Sequence, residues 1–346
     1  MSSDPTDRAR PAVQAGSDGP DGPARGLGRT GAAADEPALH QDLAGRRESA
    51  DLAPEELTVP VPGGELTLLR WPATDPAAGP DAPTVLAVHG ITANALAWSE
   101  VARQLAGRAT LVAPDLRGRA GSRTVAGPYG LARHADDLAV LAGVLGLGRV
   151  RLVGHSMGAW VSALAAVRHP ELVDSLVLVD GAVSFPLPPG VSEDDALAAV
   201  LGPALARLDM TFESRDAYRA FWQRHPAFAG EWRAALDEYT QRDLVGEEPE
   251  LRSSCVPEAV HQDGREVLLD KDAATAIHRL TCRAELLWAE RGLMNEPQGL
   301  YDAARIEHAG LDRERVTATA VPDTNHYTII GGPDGAARIV RSLVAG

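Results

Sequence analysis

Arg149-Val150-Arg151-Leu152-Val153-Gly154-His155-Ser156-Met157-Gly158-Ala159-Trp160 decides how the rest of the chain is read. An apolar, β-leaning run ends in G-x-S-x-G, and a small-residue run suited to a helix continues from Ala159 through Val167. Strand, tight turn and helix in that order are what a nucleophile elbow needs. Such a turn holds Ser156 in a strained backbone conformation. Gly154 and Gly158 lack the Cβ atoms that would clash where strand and helix pass each other. Ser156 then stands at a helix N-terminus, where backbone N–H groups and the helix dipole can stabilise a developing oxyanion. The pentapeptide alone is equally consistent with an ordinary turn. The surrounding chain has to decide.

Upstream, Thr84 to His89 is a short continuous apolar run, as expected of a strand buried on both faces. It ends in His89-Gly90-Ile91-Thr92, and a helical pattern follows from Leu96 to Ala106. The next strand, Thr110 to Ala113, closes in Pro114-Asp115-Leu116-Arg117-Gly118-Arg119-Ala120-Gly121-Ser122, before a helix from Leu131 to Leu145. Downstream, His169-Pro170 stops the helix after Ser156, and Ser175 to Val179 is another buried strand ending at Asp180. Leu57–Val61 and Glu65–Trp71, joined by Pro62-Gly63-Gly64, read as a hairpin. Strands alternating with helices point to a parallel sheet covered on both faces.

The alternation breaks from about Ser184 to His278, where helical segments concentrate the aromatics Phe212, Tyr218, Phe221, Trp222, Phe228, Trp232 and Tyr239. These can pack a core of their own, and they can also line an apolar substrate pocket. The pattern resumes with a strand at Ala284–Ala289, a helix at Pro297–Ala309, a strand at Val316–Val321 and a helix from about Asp334 to Val344. Residues 1–52, rich in Gly, Pro, Ala, Asp and Arg, cannot bury enough surface to offset ordering entropy and are expected to be a disordered tail. The organisation expected is therefore a core from 53–183 and 281–346, with a helical cap at 184–280.

Composition narrows the function classes. The net charge of -15 argues against a nucleic-acid surface or an anionic membrane as partner. The two cysteines, Cys255 and Cys282, match no zinc pattern and make no disulfide framework. With no apolar run of about 18 residues and no apolar stretch behind Arg8 and Arg10, a cytoplasmic location is expected. No metal or organic cofactor is called for, and oligomeric state is not encoded in any readable way.

Serine is a weak nucleophile until a general base takes its proton, and the base needs an acid to orient it. Of the ten histidines, His326 sits in a loop after the terminal strand and before the last helix, where the order Ser, acid, His puts the base. His134 and His169 are expected on helix surfaces, and His225, His261 and His278 belong to the cap or its edges. His155 lies inside the elbow, pointing away from that role.

With these residues in view, the chain resembles the α/β-hydrolase fold superfamily, in the branch with a helical cap after strand six. His89-Gly90-Ile91-Thr92, Asp115-Leu116-Arg117-Gly118, Gly154-His155-Ser156-Met157-Gly158 and Asn325-His326-Tyr327 carry the likeness, in the right order from Leu57 to Gly346. The resemblance implies a mostly parallel eight-stranded sheet with helices on both faces. It also implies an oxyanion hole from the N–H groups of Ile91 and Met157, with His89 and Gly90 letting that loop approach substrate. Phe221, Trp222 and Trp232 are the cap aromatics expected at the pocket. Asp115 and Arg117 are expected to tie down a loop, and Asp323 to shape the turn before His326.

The acid departs from the family pattern. Where relatives carry Asp after strand seven, Trp288-Ala289-Glu290-Arg291-Gly292-Leu293-Met294 places Gly292. Asp180, after strand six, is the acid the sequence favours, and Glu290, two residues early but longer, is the alternative. Each has an ordinary reading as well, as a turn cap and as a surface partner of Arg291. The expected activity is that of a carboxylic ester hydrolase acting on an apolar small-molecule acyl substrate through an acyl-enzyme on Ser156. Lactonase, thioesterase, C–C bond hydrolase and perhydrolase chemistry share these motifs, and a ligand-binding relative without turnover is a further alternative. An epoxide hydrolase or haloalkane dehalogenase of this fold needs a carboxylate where Ser156 stands.

Overall fold

Val85, Leu86, Ala87 and Val88 are all fully buried, as a strand covered on both faces requires, and the sheet is built around them. The computed structural model describes residues 53–79, 82–185, 187 and 189–345; the expected tail at 1–52 lies outside the described residues. The strands are β1 (Glu55–Val61), β2 (Gly64–Trp71), β3 (Thr84–Val88), β4 (Thr110–Pro114), β5 (Val150–His155), β6 (Val173–Val179), a short pair β7 (Leu244–Val245) and β8 (Arg252–Ser253), β9 (Arg283–Arg291) and β10 (Val316–Asn325). Eight of them form one sheet in the order β1-β2-β4-β3-β5-β6-β9-β10. β1 and β2 pair antiparallel, as do β2 and β4, and every other pairing is parallel. This is the mostly parallel eight-stranded sheet that the family resemblance implied.

The helices are α1 (Ser99–Leu105), α2 (Leu131–Val144), α3 (Met157–Arg168), α4 (Glu193–Leu208), α5 (Arg215–Gln223), α6 (Ala234–Arg242), α7 (Pro257–Leu269), α8 (Lys271–Ala276), α9 (Ala303–His308), α10 (Thr328–Gly331) and α11 (Pro333–Val344). Successive strand residues face opposite ways. Leu86, Val88, Leu152 and Leu178 therefore pack with α2, α3 and α8 on one face. Val85, Ala87, Val153 and Val179 pack with α1 and α11 on the other. Between β6 and β9 the chain runs through α4 to α8, where Phe212, Tyr218, Trp222, Phe228 and Leu236 gather in a cluster of their own.

Two elements differ from the sequence reading. The helix expected over Pro297–Ala309 is confined to Ala303–His308. A Cβ on Gly299 would lie 2.2 Å from the Ala289 carbonyl, so that stretch passes too close to β9 to coil. The helix begins only where Asp302 caps it, its Oδ1 accepting from Arg305 N at 2.7 Å. β10 runs past Val321 to Asn325, with its register broken between those residues around Pro322, which has no N–H to donate.

Candidate active site

The carboxyl ends of β3, β5, β6 and β10 open at one edge, where ligands of open parallel sheets bind. Ser156 follows β5 directly with φ 53° and ψ -127°, a region suited to glycine, and its N–H donates to Val179 O at 2.9 Å. The two glycines of the elbow are sterically required. A Cβ on Gly154 would lie 2.0 Å from Gly158 O, and one on Gly158 would lie 2.1 Å from Val88 O. Strand and helix can cross this closely only without side chains there, and the crossing sets Ser156 at the head of α3.

His326 follows β10. Its Nδ1 lies 2.7 Å from Asp180 Oδ2. Asp180 ends β6, is fully buried and has a positive φ of 47°, a conformation Asp tolerates better than most residues. Its backbone N–H donates to Leu287 O at 2.7 Å, and its Oδ1 accepts from Ala289 N at 3.1 Å, so the carboxylate is fixed from both sides. With Nδ1 engaged, His326 keeps Nε2 on the far side of the ring, and His326 and Ser156 line the same cavity of about 150 Å³. The other carboxylate considered, Glu290, is exposed and accepts from Asp323 N at 3.2 Å.

Ile91 and Met157 also line this cavity. Neither N–H donates a hydrogen bond to another described residue. Gly90, next to Ile91, runs close against the serine: a Cβ there would be 3.2 Å from Ser156 Cβ. The rest of the wall is largely apolar, with Met157, Trp160, Leu236, Val267, Leu268 and Ile330 among it, and no Lys or Arg of the described residues reaches it. Trp160, one helical turn after Ser156, was readable from the i, i+4 spacing; Val267 and Leu268, at the end of α7, carried no such signal.

Several expected placements are corrected. His89 is off the cavity wall: fully buried, it accepts from Leu116 N through Nε2 at 2.9 Å and donates from Nδ1 to Gly90 O at 2.7 Å. Burial pulls its pKa down to about 3, so it stays a neutral brace between the loops after β3 and β4. Phe221, Trp222 and Trp232 are also absent from the wall. They pack in the aromatic cluster with Phe212 and Tyr218, because α5 turns its apolar side to its neighbours rather than to the cavity. Phe228 and Tyr239 line the cavity instead. His134, expected on a surface, is fully buried with its Nε2 2.9 Å from Asp263 Oδ2. His155 does reach the cavity, and its Nε2–H donates to the His326 carbonyl at 2.7 Å.

Asp115 and Arg117 hold loops, as the family resemblance implied. Asp115 accepts from Ala95 N at 2.8 Å, Gly121 N at 3.1 Å and Arg242 Nη2 at 2.7 Å. Arg117 pairs with Asp137 and donates to Ala126 O and Pro62 O, both at 2.6 Å.

Comparison with known proteins agrees with this fold. A family model of the α/β-hydrolase fold matches residues 83–254. An uncharacterised protein of Mycobacterium tuberculosis is 41% identical over 97 residues, 28% of this chain and 28% of that protein. A 2-(acetamidomethylene)succinate hydrolase of Mesorhizobium japonicum is 40% identical over 98 residues, 28% of this chain and 35% of that enzyme. The matched stretch thus spans about a third or less of these relatives' own lengths. The crystal structure of an E-2-(acetamidomethylene)succinate hydrolase superposes with a TM-score of 0.67 at 24% identity, covering 84% of this chain and all of that one.

Proposed function

Because the chain belongs to the α/β-hydrolase fold superfamily, we propose that it is a serine hydrolase cleaving an ester or similar acyl bond of an uncharged, apolar small molecule. His326 Nε2 takes the proton of Ser156 Oγ, which attacks the acyl carbon. The oxyanion that forms is held by the N–H groups of Ile91 and Met157, with the positive end of α3 behind it. His326 returns the proton to the leaving oxygen. It then takes a proton from water, whose oxygen attacks the acyl-enzyme, and gives that proton to Ser156 Oγ as the acyl bond breaks and the acid leaves. Asp180 keeps Nδ1 protonated throughout and stabilises the imidazolium. Residues 184–280 serve as a cap contributing part of the cavity wall.

The observation that carries this reading is the 2.7 Å contact between His326 Nδ1 and Asp180 Oδ2 on the rim that also holds Ser156. Support for an uncharged substrate comes from the cavity wall. One relative is named for hydrolysing a substituted succinate, an anion, whereas no cationic side chain of the described residues lines this cavity and Glu100 does. The test is labelling by a fluorophosphonate and hydrolysis of p-nitrophenyl acyl esters, by wild type and Ser156→Ala. Wild type is expected to label rapidly and turn over, and Ser156→Ala to do neither. Labelling or turnover that survives in Ser156→Ala would refute the assignment. A wild type that does neither would favour a binding protein.

A further inference from the structure

The loop that carries Ile91 is gripped from behind by a buried arginine. Arg119 lies in the turn after β4 and is fully buried, as are Asp263 on α7 and His134 on α2. Arg119 Nε donates to Ile91 O at 2.9 Å and Nη1 donates to Arg117 O at 2.8 Å. The same Nη1 sits 2.6 Å from Asp263 Oδ2, which also faces His134 Nε2 at 2.9 Å, while Asp263 Oδ1 accepts from Gly130 N at 2.8 Å. Burial alone would raise the Asp263 pKa, but His134 and Arg119 outweigh it and hold the carboxyl well below its usual range. The bond from Arg119 is the one hydrogen bond Ile91 makes among the described residues.

We infer that Arg119, held by Asp263 and His134, is a positioning residue for the oxyanion loop, fixing the direction in which Ile91 presents its N–H to the cavity. The inference rests on the serine-hydrolase reading of that cavity. Two features argue for positioning over stability. Arg119 Nη2 makes no hydrogen bond among the described residues, and a buried guanidinium left partly unsatisfied is a costlier filler than an apolar side chain of the same volume. The planar fork also reaches the carbonyls of Ile91 and Arg117 and the carboxylate of Asp263 at once, which the single nitrogen of a lysine cannot do. One cation thereby ties the loop after β3 to the loop after β4 and to α7.

The test compares wild type, Arg119→Lys and the double variant Arg119→Met/Asp263→Leu. Each is assayed with p-nitrophenyl butyrate and with a matched trifluoromethyl ketone. The ketone carbon bonds Ser156 Oγ while His326 takes the serine proton, and its oxygen becomes the oxyanion. The double variant removes both charges together, the change a buried pair tolerates best, and decides the matter if Arg119→Lys does not fold. Folded variants are expected to lose about 10²-fold in kcat with KM nearly unchanged, the size of effect expected when an oxyanion donor is lost or misplaced. Their affinity for the ketone should fall in parallel with kcat/KM. Wild-type kcat in a folded variant, or lost kcat with undiminished ketone affinity, overturns the inference. If wild type neither turns over nor labels with a fluorophosphonate, the hydrolase reading fails and this inference falls with it.

Discussion

Asp180 Oδ2 and His326 Nδ1 stand 2.7 Å apart although 146 residues separate them in the chain. Both side chains are buried, so little water competes for the bond. A carboxylate on Nδ1 leaves Nε2 as the proton acceptor, whereas an amide at position 180 favours the wrong tautomer. Asp180→Asn is expected to lower kcat by on the order of 10³–10⁴ with little change in KM. Glu290, exposed and bonded to the Asp323 N–H, should tolerate conversion to Gln with near-normal kinetics. Steady-state hydrolysis of p-nitrophenyl butyrate measures both. An Asp180→Asn enzyme close to wild type would remove Asp180 from the chemistry.

The glycines around Ser156 predict a graded series. Cβ atoms on Gly154 and Gly158 would sit 2.0 and 2.1 Å from backbone oxygens that cannot move aside, whereas one on Gly90 meets Ser156 Cβ at 3.2 Å. Overpacking costs about 1–3 kcal/mol and more against rigid backbone. Gly154→Ala and Gly158→Ala should therefore lose roughly 3 kcal/mol or more in urea unfolding, while Gly90→Ala keeps its stability and loses turnover. Equal stability in all three would mean that the strand–helix crossing can relax.

Much of this arrangement was legible in the sequence because it rests on local rules. The short apolar run Thr84–His89 read as a doubly covered strand, and Gly154 and Gly158, set between a strand pattern and a helix pattern, fitted a close crossing around Ser156. What escaped reading was long-range. The place of Asp180 after strand six favours it over Glu290, but its contact with His326 depends on the register of β6 beside β9, which places Val179 opposite Leu287. Composition drew attention to Phe221, Trp222 and Trp232, but α5 faces its own neighbours. His134 looked like a surface residue because its partner, Asp263, lies 129 residues away.

His89 and His155 predict an acid limb to stability. Burial takes His89 to about 3, against the pull of its bond to Gly90. Burial, with His326 beside it, takes His155 well below its ordinary 6.5. The unfolded chain protonates both near 6.5, so between there and about 3 the unfolded state binds more protons. Stability is then full above pH 6.5 and falls as the pH drops. Between pH 6.5 and 4.5 His89 alone should remove on the order of 2 kcal/mol, and His155 adds to that loss in the same direction. Urea unfolding at pH 7.5, 5.5 and 4.5 reads this directly, and His89→Gln should make the slope shallower. A wild-type stability that stays level down to pH 4.5 contradicts two buried neutral histidines.

His155 also supports His326. Its Nε2–H donates to the His326 carbonyl, and the two rings lie 4.6 Å apart, tilted by 41°. His155→Phe keeps the ring packing but leaves that buried carbonyl without its donor, whereas His155→Gln can supply an amide N–H at a similar reach. His155→Phe is expected to lose about tenfold in kcat through misplacement of His326, with His155→Gln recovering most of it. Equal losses in the two variants would assign the effect to packing alone.

The charge of the cavity predicts which acyl groups are accepted. No Lys or Arg of the described residues lines it; Glu100, whose carboxylate is paired with Arg103, lines it together with Met157, Trp160 and Leu236. A carboxylate entering there loses hydration without gaining a cation, and the chain's net charge of -15 repels it on approach. p-Nitrophenyl butyrate should therefore exceed the p-nitrophenyl hemiester of succinic acid, of nearly the same length, by about 10² in kcat/KM, which corresponds to roughly 3 kcal/mol of desolvation left uncompensated. Leu268→Arg places a cation on the wall and should narrow that ratio by improving the hemiester. If wild type hydrolyses the hemiester as well as the butyrate, the uncharged-substrate reading is wrong, and the cavity accommodates an anion by a contact the apolar wall does not reveal.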